Sequence, residues 1–198
     1  MLETAGTWAE NLIRTHYGDL LAAPESWSAG CTVDLLILVM VVSGISGFLY
    51  EELFYLIDLG RLVKRGSTYG PWIPIYMFGG LFILLITCRF RAMPWLVFLL
   101  GVTISGVLEY ATGAVLYEVF HTRLWDYNTE IWNWGNIGGY VCLRSVLLFG
   151  LAGVFLIYIV APLLIRLVAQ FSRAAMHTSC CALIGIWLAD MGIWKWRH

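Results

Sequence analysis

Charge is scarce in this 198-residue chain: only 13% of its residues are Asp, Glu, Lys or Arg, about half the share found in soluble domains. Twelve basic residues against thirteen acidic ones leave no basic face for nucleic acid. No G-x-x-x-x-G-K-[ST] loop occurs, so the sequence carries no phosphate cradle for ATP hydrolysis. The five cysteines form no C-x-x-C pair; four fall in apolar stretches, where cysteine behaves as a small hydrophobe. His16, His121, His177 and His198 are scattered at or beyond the ends of apolar runs, and no Ser, His and Asp grouping suggests nucleophilic chemistry. Glu118 and His121 form a single Glu-x-x-His, whereas a di-iron bundle needs two such pairs and two further carboxylates. No metal or other cofactor is therefore expected. The first thirty residues lack the basic start and apolar centre of a signal peptide, so the first hydrophobic span is expected to target itself.

What is present is hydrocarbon: 60% of residues are hydrophobic and the mean hydropathy is +0.78. This composition predicts an all-α membrane protein in a lipid bilayer, a multi-pass bundle of about five transmembrane helices placed in the cell membrane. Runs at about 35–57, 71–90, 94–118, 140–163 and 179–194 approach or reach the roughly 20 residues that span a bilayer, the last being the shortest. Residues 1–30 are read as an N-terminal amphipathic segment and 31–198 as the transmembrane domain. Within the former, TWAENLIRTHYGDLL (7–21) offers Thr7 and Glu10 as a capping box. Trp and Tyr gather where span ends meet headgroups. Alternate connections carry five basic residues on one side (Arg14, Arg89, Arg91, Arg166, Arg173) and six on the other (Arg61, Lys64, Arg65, Arg123, Lys195, Arg197), which favours neither orientation.

The second run opens with GSTYGPWIPIYMFGG (66–80). Pro71 and Pro74 are tolerable only where backbone N–H groups lack a helical partner, which predicts a helix beginning near Gly70 or Pro71. ISGFLYEELF (45–54) and ISGVLEYATG (104–113) are similar, and each precedes a polar, aromatic connection and a Gly-rich approach to the next span. Spans 1 and 2 therefore read as repeated in spans 3 and 4, a parallel repeat plus a fifth span. GSTYGPWIPIY then forms one wall of a polar pocket, and Trp125-Asp126-Tyr127-Asn128 its partner on the same side.

Glu51, Glu109, Arg144 and Asp190 lie inside apolar runs, where a mid-depth charge costs about 2.5 to 3.5 kcal/mol. They are expected to face the protein interior. Gly101, Ser105, Glu109 and Gly113 recur every four residues and put one carboxylate on a small, close-packing ridge; Ser43, Gly47 and Glu51 repeat the rhythm. Arg144 is expected to pair with Glu109 or Glu51, leaving Asp190 as a protonated acid. Candidate binding residues are Glu51, Glu109, Arg144, Tyr76, Asp126, Tyr127 and Asp190.

In order and spacing, GPWIPIY (70–76), LEY (108–110), LYEVFHTRLWDYN (116–128) and GGYVCLRSVLLFG (138–150) resemble the bacterial multi-pass family named "putative ABC transporter permease (type IV)". The likeness runs from about Ser43 to Pro162, with Asp190 matching an acid in the last span. Three positions depart from the family pattern: Lys64 stands where Asn is usual, Met77 replaces a Gly, and Tyr140 stands in place of an Arg. Arg144, one helical turn later, is positioned to replace that arginine. The resemblance implies a permease, alone or as the membrane subunit of a complex with an ATPase or other transport subunit, with a homo-oligomer as a further arrangement. It names no substrate. The residues thus predict a transporter-like protein that binds a polar or charged solute. Two alternatives stand beside it: a membrane-embedded enzyme acting on a lipid-linked substrate through Glu118, His121 and Asp126, and a non-catalytic scaffold subunit.

Overall fold

The computed structural model describes residues 27–66 and 68–197; the capping box and amphipathic segment expected before residue 27 lie outside them. Among the described residues there is no strand, and five helices account for the fold. Helix α1, Ala29–Leu59, starts where the Ser28 hydroxyl accepts the Cys31 N–H and stops at Gly60 in the left-handed conformation. Its 31 residues extend about 46 Å, more than the bilayer core requires. Helix α2 covers Pro74–Thr87 with a 3-10 turn at Cys88–Phe90. Helix α3 is Pro94–Glu118, α4 is Leu143–Gln170, and α5 is Arg173–Arg197. Four of these are long and apolar enough to cross a membrane, and α2 is a shorter apolar helix.

Two boundary expectations are corrected. Helix α2 begins at Pro74, not at Gly70 or Pro71. A residue before proline is pushed out of the helical region, and Ile73 is accordingly extended (φ −114°, ψ 116°), so no helix can run from Pro71 through it. The Thr68 hydroxyl donates to the Trp72 carbonyl, and the Ile73 N–H reaches Gly44 O on α1, which holds this approach in place. The shortest of the five apolar helices is consequently α2 rather than the last one, which is 25 residues long.

Small residues set the helix spacing. The buried residues of α3 are Val97, Gly101, Ser105, Glu109 and Gly113, one stripe at intervals of four. A Cβ on Gly101 would lie 3.2 Å from the Gly150 Cα of α4, and one on Gly150 would lie 2.6 Å from Val102. Packing this close is how helices associate in lipid, where hydrophobic burial gives little drive. Helix α4 widens into a π-helical turn at Leu156–Val160 immediately before Pro162, a local adjustment that absorbs the missing proline N–H.

The two ends of the bundle differ. The apolar core gathers at the start of α1 and α5 and the far halves of α2 and α4, around Leu35, Leu84, Cys88, Ala161 and Cys180. Polar side chains collect at the opposite end, beneath the connections 60–73 and 119–142. Helix α5 lies at the periphery and is tied by a carboxylate at each end. Fully buried Asp34 meets His177 Nδ1 at 2.9 Å. Asp190 accepts from the Tyr69 and Gly70 N–H groups and from Trp72 Nε1 at 2.9, 2.8 and 2.7 Å. Asp190 is thus an acceptor fastening the 68–72 approach, where a protonated acid was expected.

Candidate functional site

The polar end closes around a cavity of about 30 Å³, room for roughly one or two waters. Helix α1 contributes Tyr50, Glu51, Phe54 and Tyr55, α2 contributes Tyr76, and α3 contributes Glu109. Arg144 and Ser145 enter from the first turn of α4, and Arg65, Tyr127 and Glu130 from the two connections. Of the seven predicted residues, Glu51, Glu109, Arg144, Tyr76 and Tyr127 meet here. Asp126 sits in the outer loop, paired with Arg123 at 2.7 Å and bonded to Asn128. Asp190 is engaged at the end of α5 as described.

The pairing inside differs from the one expected. Arg144 bonds Glu130 at 2.8 Å and the Ile131 carbonyl at 3.0 Å, with Phe54 beneath its guanidinium. Glu51 bonds Arg65 at 2.8 Å. Among the described residues Glu109, the remaining acid, has no basic partner within salt-bridge distance. Its Oε1 receives the Ser145 hydroxyl at 2.6 Å and lies 2.8 Å from the Tyr127 hydroxyl, while its buried Oε2 has no partner among them. Three carboxylates therefore share the cavity with two guanidinium groups, leaving one excess negative charge when all are ionised. Arg144 Nε is buried and unpartnered too, so among the described residues the side chains around the cavity hold one unsatisfied acceptor and one unsatisfied donor.

The two halves share a device. In each, a carboxylate on the first helix lies against a hydroxyl at the third residue of the next: Glu51 against Tyr76, and Glu109 against Ser145. Arg65 joins the halves, donating to Glu51 and to the Leu124 carbonyl while lying over the Tyr55 ring. Burial, the largest single influence, would lower its basicity, but the Glu51 charge and hydrogen bond together with the Tyr55 and Glu130 contributions outweigh it, and the net shift is upward. Burial, with the Glu109 charge second, raises the Tyr127 phenol well above its ordinary value, so its hydroxyl keeps its proton at neutral pH.

Sequence reasoning missed Arg65, Glu130 and Ser145. The connection 119–142 that carries Glu130 follows no helical or strand period, but it holds its shape. The Tyr127 N–H bonds Gly139 O, and the Ile137 N–H bonds Val141 O. Gly139 has φ +80°, and an added Cβ would meet Asn128, Asp126 and Arg123 within 2.6 Å. His121 and Trp132 both adopt φ 53°, a costly conformation for bulky residues. Glu118 accepts the Tyr140 hydroxyl and Asp126 is held by Arg123, so these two acids serve separate contacts rather than one acid–base pair. Tyr140, standing where the family pattern has arginine, packs beneath Arg123, while Arg144 neutralises Glu130.

No curated protein and no solved structure matches the chain. A family model described as "Putative ABC-transporter type IV" matches residues 38–194, a stretch that includes all or most of each helix and both connections that build this cavity. The chain belongs to that family of ABC-transporter-related membrane proteins.

Proposed function

We propose that this chain is a permease-type membrane subunit of a transporter and that the cavity at its polar end binds a polar or charged solute, with Glu109 as the principal binding group. One observation carries the reading: Glu109 is a buried carboxylate in a membrane-spanning helix that, among the described residues, has one oxygen unpartnered and no salt bridge, the two guanidinium groups of the cavity being paired to other acids. An intramembrane acid of this kind is costly unless something compensates it, and the arrangement favours a cationic group or an exchangeable proton. Glu51, Arg144, Tyr76 and Tyr127 shape the rest of the cavity. Asp126 and Asp190, also candidates from sequence, act in this reading as braces for the surrounding connections. The absence of a phosphate loop from the sequence means that ATP hydrolysis would come from a partner subunit.

Equilibrium binding of ethanolamine to the protein in lipid nanodiscs tests this. Wild-type protein is expected to bind it, and Glu109→Gln to weaken binding at least tenfold. Equal affinity in the two proteins would remove Glu109 from the site.

A further inference from the structure

A second cavity adjoins the first. A groove of about 350 Å³ runs between α1, α2 and α4, large enough for a small-molecule site. Its walls are almost entirely hydrocarbon, from Val42, Ile83, Leu148, Phe149 and the π-helical turn of α4. Tyr50, Tyr76 and Ser145 line both the groove and the charged cavity, and Ser145 is 2.6 Å from Glu109. The opposite lip reaches the molecular surface, since Leu148 and Phe155 line the groove and are 41% and 55% exposed. On a membrane-spanning helix that surface faces acyl chains, so the groove leads from lipid to Tyr50, Tyr76 and Ser145, the residues it shares with the charged cavity that Glu109 lines.

We propose that the ligand is a single-chain cationic amphiphile of the long-chain amine or amino-alcohol class, its chain in the groove and its ammonium group at Glu109. The inference rests on the solute-binding reading above and specifies the substrate class. Charge selects the head: with Glu51 paired to Arg65 and Glu130 to Arg144, the unmatched charge is the Glu109 carboxylate. The vacant Arg144 Nε suits a hydroxyl oxygen on the same head. The tail follows from shape, because a hydrophilic solute would leave the groove without a complementary partner. A groove of about 350 Å³ between three helices suits a single chain, and the charged cavity beyond Tyr50 and Tyr76, about 30 Å³, suits a small head rather than a bulky one.

The test compares dodecylamine, ethanolamine and decanoate, each titrated into nanodisc-embedded protein against empty nanodiscs, in wild type, Glu109→Gln, Ala152→Phe and Ser46→Phe. Ala152 and Ser46 line the groove at exposed positions, so a phenyl ring there fills it without displacing the core. Dodecylamine is expected to bind at least tenfold tighter than ethanolamine, and either groove-filling variant to bring it down to the ethanolamine level while leaving ethanolamine unchanged. Glu109→Gln is expected to weaken both amines. If dodecylamine gains nothing over ethanolamine, or gains as much in the filled variants, the amphiphile proposal is overturned while the solute site at Glu109 stands. If decanoate binds as well as dodecylamine, cationic selectivity is overturned. If Glu109→Gln changes neither amine, the underlying solute reading fails with it.

Discussion

Replacing Arg144 by Met removes the guanidinium that meets Glu130, and the consequence can be worked from the contacts. The two side chains are 8% and 5% exposed and 2.8 Å apart. Glu130 would keep the Tyr55 hydroxyl but lose its counter-charge. Stranding one member of a buried pair costs about 3 to 5 kcal/mol, and the Ile131 carbonyl loses a donor worth about 1 kcal/mol more. The combined change Arg144→Met with Glu130→Gln leaves no charge at the pair, and an amide at position 130 can still accept from Tyr55. That protein is expected to be more stable than Arg144→Met alone by about 2 kcal/mol, despite carrying one more substitution. Unfolding of Arg144→Met, Glu130→Gln and the combined variant in mixed micelles of rising dodecyl sulfate fraction, followed by tryptophan fluorescence, measures all three differences from wild type. A stability for Arg144→Met within about 0.5 kcal/mol of wild type, or strictly additive costs, would refute a buried, mutually dependent pair.

Gly150→Leu is expected to destabilise by about 1 to 3 kcal/mol or more, because its side chain must displace Val102 and Phe98 at the tight α3–α4 crossing; the same micelle titration reports it. Gly139→Ala combines a left-handed backbone with collisions at Asn128, Asp126 and Arg123, and a loss of about 1 to 3 kcal/mol is expected in thermal unfolding. Asp190→Ala frees three donors, so backbone amides at Tyr69 and Gly70 should exchange hydrogen at least tenfold faster while those of α3 remain protected. Tyr127→Phe removes one hydroxyl from the Glu109 cluster, with an expected cost of about 1 to 2 kcal/mol in stability by the same titration.

Periodicity explains what could be read before the structure. The recurrence of Gly101, Ser105, Glu109 and Gly113 every four residues put that carboxylate on the buried stripe of α3, because a helix turns about once in that interval. Glu51 and Tyr76 were legible for the same reason, sitting in apolar runs where a polar group stands out. Arg144 was recognised but its partner was not, since Glu130 belongs to an irregular connection whose path depends on glycines at positive φ and on turns without a repeating pattern. Arg65 likewise looked like an ordinary interfacial charge. The start of α2 was misplaced because both prolines satisfy the rule for a first helical turn, whereas the constraint that Pro74 imposes on Ile73 decides between them. Asp34 escaped notice because it lies one turn into α1, near what looked like the edge of the apolar run.

The attachment of α5 has a mechanical consequence. Hydrocarbon solvates an apolar helix about as well as another helix does, so a peripheral stave gains little from side-chain burial alone. Its polar fastenings, Asp34 with His177 and Arg173 with Ser28 and Cys31 at one rim and Asp190 with the 68–72 segment at the other, then govern whether it stays docked. Release of either rim would let the stave pivot about the one that holds, and release of both would let it drift off sideways into the bilayer, folded throughout.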